Sequence, residues 1–334
     1  MTANPVLVEV MRGGIVESRH RGRAVVVDAS GAVRWHCGDI EELTFPRSAL
    51  KAFQALPLVA SGAADHYGFS DQQLALCCAS HSGEANHHDC AAAMLKQLAL
   101  AEKDLECGWH WPMNDAASRA LVAQGLTPGV LHNNCSGKHC GMLALARYKG
   151  WPTEGYVDPA HPVQQAIREA IEACWEVDLA GAPVALDGCS APIWAVPLRV
   201  LAQGFGRLGA PGQLPEAYRE AATRLLRACM QHPHYVAGSE RFCSRLMTEL
   251  GTQVFVKLGA EGVYVASIPG RQLGIAVKID SGDVPAVEVA IASLLAQLGV
   301  EVPRHFTHPS IRNRRQRLSG HYRPSALLCG ALAL

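Results

Sequence analysis

Residues 253–258, 262–268 and 273–279 are three β-rich runs with only Gly259-Ala260-Glu261 and Pro269-Gly270-Arg271 at their junctions. A parallel crossover needs a dozen or more residues, so connections this short commit the runs to antiparallel neighbours. The start of the chain has a matching pattern. Val6-Leu7-Val8-Glu9-Val10 predicts a strand. Ala24-Val25-Val26-Val27-Asp28 turns at Ala29-Ser30-Gly31 and returns through Val33 to Trp35, which predicts a hairpin. Between residues 48 and 231 the sequence is rich in Ala, Leu and Gln at helical spacing. Ser70 with Gln73 predicts a capping box opening a helix over 71–79. Further helices are predicted over 86–100, 138–148, 162–175 and 215–231, with Pro162 and Pro215 suited to a first turn, where a missing N–H costs nothing. Residues 287–300, carrying Glu288 and Gln297, read as an amphipathic helix. No repeat or low-complexity linker interrupts this order. The expected fold is therefore α+β: an antiparallel sheet built from the chain ends, 1–46 and 240–300, with a mainly helical lobe, 47–239, inserted into one unit spanning 1–334.

Composition narrows the functional classes. The 334 residues carry 30 Lys plus Arg and 30 Asp plus Glu, and a neutral chain lacks the cationic footprint of a general nucleic-acid binder. The one basic run, from Arg312 to Arg317, is broken by Asn313 and Gln316 and carries no legible role. Hydrophobic residues at 49% against 18% charged exclude disorder. The 12 cysteines are scattered from Cys37 to Cys329, and Cys77 directly beside Cys78 is an awkward geometry for two bridges. Residues 1–14 show no cationic segment followed by an apolar core and a cleavage site, and no apolar stretch reaches the roughly 18 residues a membrane span needs. Reduced thiols in a cytoplasm are the simplest account, with neither nucleic acid nor membrane as a partner.

Several segments bring together residue types that do chemistry. Ser48 and Lys51 lie three apart at the start of an apolar helical stretch and so share a face. A serine hydroxyl needs a base, and a lysine amine serves only if burial or neighbouring cations bring its pKa down toward roughly 7–8. Leu50, Ala52, Phe53 and Leu56 offer such burial. Taken alone, the pair reads as a helix cap and a solvated lysine. Cys78-Ala79-Ser80-His81-Ser82-Gly83-Glu84 gathers thiol, hydroxyl, imidazole and carboxylate, as an active-site loop or as a polar helix end; His87 and His88 beyond it read as surface residues. In 133–141, Asn-Asn-Cys-Ser-Gly-Lys-His-Cys-Gly, two glycines permit close backbone approach and the following helix offers free N–H groups to an anion. Cys135, His139 and Cys140 are alternatively metal donors, with a further thiol available in Asp187-Gly188-Cys189-Ser190, although the spacing matches no standard zinc pattern.

Five of these segments, in order, resemble one family: Arg-Ser-x-x-Lys at 47–51, Cys-Ala-Ser-His-Ser-Gly-Glu at 78–84, Asn-Cys-Ser-Gly-Lys-His at 134–139, Asp-Gly-Cys at 187–189 and Lys-Leu-Gly-Ala-Glu-Gly at 257–262. They are similar to the Rhizobium-type (class 3) L-asparaginases, which differ from the bacterial threonine-nucleophile enzymes and from the plant-type N-terminal nucleophile enzymes. The resemblance implies a fold similar to serine β-lactamases and penicillin-binding enzymes, and a homodimer. It implies two Ser–Lys pairs in one site, Ser48 with Lys51 and Ser80 with Lys257, Ser48 being the nucleophile. By its residues alone Lys257 reads as an exposed strand residue beside a turn. The resemblance further implies zinc on Cys135, Lys138 and Cys189 with water as a fourth ligand, and Arg47, His139 and Asp187 near the substrate. After about Val300 the match is thin.

The expected function is hydrolysis of L-asparagine to L-aspartate and ammonia through a Ser–Lys acyl-enzyme, with zinc orienting substrate rather than activating water. A Ser–Lys hydrolase of β-lactams or peptides, and a non-catalytic zinc or amino-acid sensor, are the rival expectations.

Overall fold

The computed structural model describes residues 3–330 and 332. Met1 and Thr2, the first residues of the 1–14 stretch read above, lie outside them. The chain divides into two compact units: Met1–Ala49, Val196–Ala210 and Val256–Leu334 form one, and Leu50–Ala195 with Pro211–Phe255 form the other.

The first unit is built on an eight-stranded sheet from the chain ends. Its strands are β1 (Val6–Arg12), β2 (Ile15–Asp28), β3 (Val33–Cys37), β4 (Phe255–Leu258), β5 (Val263–Ile268), β6 (Leu273–Ile279), β7 (Ser310–Arg312) and β8 (Leu318–Pro324). The order is β7-β8-β1-β2-β6-β5-β4, with β3 also paired to β2. The pairs β1–β8, β1–β2, β2–β6, β5–β6, β7–β8 and β2–β3 are antiparallel. The expected hairpin is present, with Ala24 opposite Cys37 and Val26 opposite Trp35. Long β2 holds the sheet together: its first half pairs with β1 and its second half with β6. Ala24, Val25, Val26 and Val27 have no exposure, so both faces of the sheet are covered there.

Two helices supply cover in this unit. Leu198–Leu208 packs on β2, β5 and β6, so part of the helical middle returns to the sheet unit. Val284–Gln297 packs on β1, β5, β6 and β8. It was expected to be amphipathic, but Ala286, Val287, Val289, Ala290, Ile291, Ala292, Leu294 and Leu295 are all fully buried. A helix with apolar side chains nearly all round is an interior helix. The basic run forms the β7–β8 turn. Asn313 Oδ1 accepts the N–H groups of Arg315 and Arg317, and Arg312 donates to the Gln316 carbonyl.

The second unit is helical, with a short hairpin of Val184–Leu186 against Pro192–Trp194. Its helices include Asp71–Cys77, Ala85–Gln97, Ser136–Lys149, Pro162–Trp175 and Glu216–Gln231, the five the sequence predicts, with shifts of a few residues at several ends. The Ser70–Gln73 capping box is formed in both directions. Pro162 opens its helix as expected, whereas Pro215 serves as the cap of the next one. All 12 cysteines are free. Among the described residues no helix is long and apolar enough to cross a membrane.

Candidate active site

Pro46, in the sheet unit, leads into a 3-10 turn, Arg47–Leu50, and from Leu50 the chain belongs to the helical unit, where it continues as helix Lys51–Gln54. Arg47 has φ +54°. Residues other than glycine rarely hold this left-handed conformation, and it clusters at functional sites. Ser48 follows it directly and is half-buried. The Lys257-Leu258-Gly259 segment lies against this entry: a Cβ on Gly259 would come within 2.6 Å of the Pro46 carbonyl oxygen, so only glycine fits. Lys257 is 1% exposed and donates to the Leu258 carbonyl at 2.9 Å. It is therefore not the exposed strand residue its sequence suggests. All of β4 is covered, between apolar Val256 and Leu258. Arg47 also lines a cavity of about 500 Å³ with Arg23, Glu261, Lys278 and Asp280.

In the helical unit, Lys51 is the centre of the arrangement. It has no exposure, and its Nζ donates to the Ala79 carbonyl at 2.5 Å, to Ser80 Oγ at 2.9 Å and to Cys135 Sγ at 3.1 Å. Among the described residues none of its partners is a carboxylate, so burial of this amine is offset by neutral acceptors alone. Ser80 is held from behind, its N–H donated to the Val236 carbonyl at 3.0 Å. His81 is also fixed. Its Nδ1 accepts the Gly83 N–H at 3.2 Å, so the ring's proton lies on Nε2 and donates to Ser136 Oγ at 2.9 Å. His87, read from the sequence as a surface residue, is fully buried: its Nδ1 accepts from the Glu84 N–H and its Nε2 donates to the His234 carbonyl.

The 133–141 segment bends through Asn133, whose Oδ1 accepts the Cys135 N–H at 2.8 Å and whose Nδ2 donates to the Cys107 carbonyl at 2.9 Å. The helix that follows approaches the helix carrying Leu76 so closely that a Cβ on Gly137 would come within 2.5 Å of the Leu76 carbonyl oxygen. The Asn134 carbonyl accepts the His81 N–H at 3.1 Å, which holds Cys135 beside the Ser80 loop. The Val184–Leu186 and Pro192–Trp194 hairpin presents Asp187 and Cys189 at its tip. Lys138 Nζ donates to Cys189 Sγ at 3.0 Å, and Cys135 lies against the same sulfur. Ser80, Lys51, Cys135, Cys189 and Lys138 thus form one unbroken line of polar contacts.

Ionisation along this line is polarised. The hydrogen bond from Cys135 is the main force holding Cys189 as a thiolate, well below the usual thiol range, and Lys138 adds to it. The same hydrogen bond, followed by burial, keeps Cys135 protonated. Burial opposes the charge on Lys138, but the Cys189 and Cys135 sulfurs outweigh it and raise its pKa. Burial lowers His139 to about 4, so its ring is neutral at physiological pH.

The donor chemistry suits zinc. Two sulfurs and the Lys138 nitrogen converge, each at most 3% exposed; once Lys138 and Cys135 give up their protons to a metal, thiolates with a nitrogen ligand are the set a borderline-soft ion prefers. Among the described residues no group of three His, Cys, Asp or Glu side chains could hold a metal, so a metal bound here would require the Lys138 nitrogen.

Of the residues expected from sequence, Lys51, Ser80, Cys135, Lys138, His139 and Cys189 come together in the helical unit, with the half-buried Asp187 close enough to raise the Lys138 pKa. Arg47, Ser48 and Lys257 lie in the sheet unit. The sequence gives no sign of Tyr156. Its hydroxyl lies 2.7 Å from His139 Nδ1, yet it sits in a Gly- and Pro-containing loop with no motif around it.

The chain matches the family model for L-asparaginase II over residues 8–324. No curated protein matches it. Among matching solved structures, a β-lactamase from Mycobacterium bovis is 15% identical, with 83% of this chain and 94% of that chain covered and a TM-score of 0.41.

Proposed function

The chain belongs to the L-asparaginase II family, and from that membership we propose that it hydrolyses the side-chain amide of L-asparagine to L-aspartate and ammonia. The observation that carries this reading is Lys51, a fully buried amine with no carboxylate partner among the described residues, hydrogen-bonded to Ser80 and one helical turn after Ser48. Ser48 Oγ attacks the amide carbon while Lys51, as the neutral amine, takes the hydroxyl proton. As the tetrahedral intermediate collapses, Lys51 returns the proton to the departing ammonia, leaving a β-aspartyl ester on Ser48. Water then cleaves the ester, with Lys51 again exchanging the proton. The same reading assigns Ser80 and Lys257 the roles of a second serine and a second lysine in the reaction. Arg47, His139 and Asp187 are the residues this reading assigns to substrate binding.

Cys135, Lys138 and Cys189 would hold zinc, which when bound orients the substrate by its positive charge. The reading includes a cytoplasmic homodimer, whose subunit number sedimentation measures. The functional test is ammonia release from asparagine and from glutamine, run beside hydrolysis of a chromogenic β-lactam. Turnover of asparagine that is lost in Ser48→Ala is the expected result. β-lactam turnover alone would move the reading to the Ser–Lys hydrolase, and binding without turnover would move it to a sensor.

A further inference from the structure

Tyr156 takes no part in the chemistry above, yet it is fully buried and held on several sides. The Glu106 carboxylate accepts the neighbouring Gly155 N–H at 2.6 Å, and the Tyr156 carbonyl accepts from Gln164 Nε2 at 2.8 Å. These contacts leave the phenol little room to turn. Its oxygen accepts the Glu106 N–H at 2.8 Å and lies 2.7 Å from His139 Nδ1.

That arrangement decides where the protons sit. A phenol has one proton to donate, and a neutral imidazole has one donor nitrogen and one acceptor. The backbone N–H of Glu106 already points at the phenolic oxygen, so the phenol proton goes to the acceptor beside it, His139 Nδ1. The imidazole proton is then on Nε2. That nitrogen is buried and has no hydrogen-bond partner among the described residues; the Cys189 sulfur is the negative group that acts on the ring. A nitrogen that carries a proton cannot ligate a metal, but it can donate to a thiolate that does.

We propose that Tyr156 is a positioning residue that locks His139 in the Nε2–H tautomer, so that His139 turns a protonated nitrogen toward the Cys189 sulfur and stays outside the metal's ligand set. The metal part rests on the reading of Cys135, Lys138 and Cys189 given above; the tautomer belongs to the protein alone.

The test is a long-range ¹H–¹⁵N correlation spectrum of the full chain with ¹⁵N-labelled histidine, metal-free and after adding zinc alone, with His139→Gln assigning the ring. The expected wild-type spectrum shows Nδ1 unprotonated and Nε2 protonated at pH 7.5, unchanged in type by zinc. Tyr156→Phe keeps the ring's volume and should lose that single tautomer, while zinc affinity measured by competition with a chromogenic chelator weakens on the order of ten-fold. A proton on Nδ1 in the wild type overturns the proposal, as does a shift of Nε2 to a metal-bound value on adding zinc. Unchanged zinc affinity in Tyr156→Phe overturns the supporting role. If no zinc binds under any loading, the metal reading fails, and the wild-type tautomer still decides the proposal.

Discussion

Lys51 Nζ lies 2.9 Å from Ser80 Oγ, in a setting with no solvent exposure at the amine. The same nitrogen reaches Cys135 Sγ at 3.1 Å, so the base of the proposed reaction touches both a hydroxyl and a thiol of the proposed metal set. A change at any one of these groups is felt at the others.

Two serines therefore compete for the role of nucleophile, and mutation separates them. Ser48→Ala should reduce asparagine turnover by about a thousand-fold or more, as loss of a nucleophile does, with the circular dichroism spectrum unchanged. Ser80→Ala should cost less, because it removes a partner of Lys51 and not the attacking oxygen. The reverse ranking would transfer the nucleophile to Ser80. Lys51→Arg should be inactive in either case, since guanidinium cannot give up its proton at working pH.

The two cysteines should behave differently. Elemental analysis of the purified protein should find about one zinc per chain, and Cys135→Ser and Cys189→Ser should each lose it, a hydroxyl being a far poorer ligand than a thiolate. Cys189→Ser should raise KM with kcat less affected, the mark of lost ground-state binding. Cys135→Ser should lower kcat as well, because Cys135 contacts Lys51. Equal effects on KM alone in both variants would separate the metal set from the base.

Stability should fall on mild acidification. His81 is pushed well below the ordinary imidazole value, by burial first and then by His87, and burial lowers His87. In both rings Nδ1 accepts a backbone N–H, so a second proton would displace that bond. The unfolded chain binds the proton below a pKa of about 6.5 and the folded chain does not, so unfolding takes up protons and stability drops as pH falls below that value. While both rings stay neutral, each contributes a slope of about 1.4 kcal/mol per pH unit. Urea midpoints measured between pH 7.5 and 5 should show it, and His81→Gln should remove part of the slope. A flat profile would place both rings in easy reach of protons.

Gly137→Ala should destabilise the helical unit by about 1–3 kcal/mol, because the new methyl meets a backbone carbonyl that cannot turn aside. Gly181→Ala, with nothing within 4 Å, should stay within about 0.5 kcal/mol. Denaturant titrations of the two variants supply the comparison.

What the sequence made legible follows from which side chains had to be buried. The Val-rich run 24–27 and the helix Pro162–Trp175 announce themselves by apolar pattern and by a proline at the first turn. The first half of β2 carries Glu17, Arg19 and Arg21, faces solvent, and gives no β signal even though it continues the same strand. Strands β7 and β8 were lost behind the basic turn between them. Helix Leu198–Leu208 looked like one more member of a helical middle, and only its packing on β2, β5 and β6 assigns it to the sheet unit. At the site, the Ser48 and Lys51 spacing was visible but ambiguous. Cys189 could be joined to Cys135 only by family resemblance, because the hairpin that delivers it has no pattern of its own.

The sheet's register also sets a timetable for synthesis. Val8 pairs with Pro324 and Met11 with His321, so β1 waits for a partner that leaves the ribosome 316 residues later (324 − 8). Until then, the outer edge of β1 has no partner, with Leu7 and Val8 among the residues destined for the interior. Unpaired strand edges recruit other chains, and contacts this distant in sequence form slowly. A chain released before Leu318 would keep that edge open permanently, so premature termination here would yield aggregates rather than a smaller soluble protein.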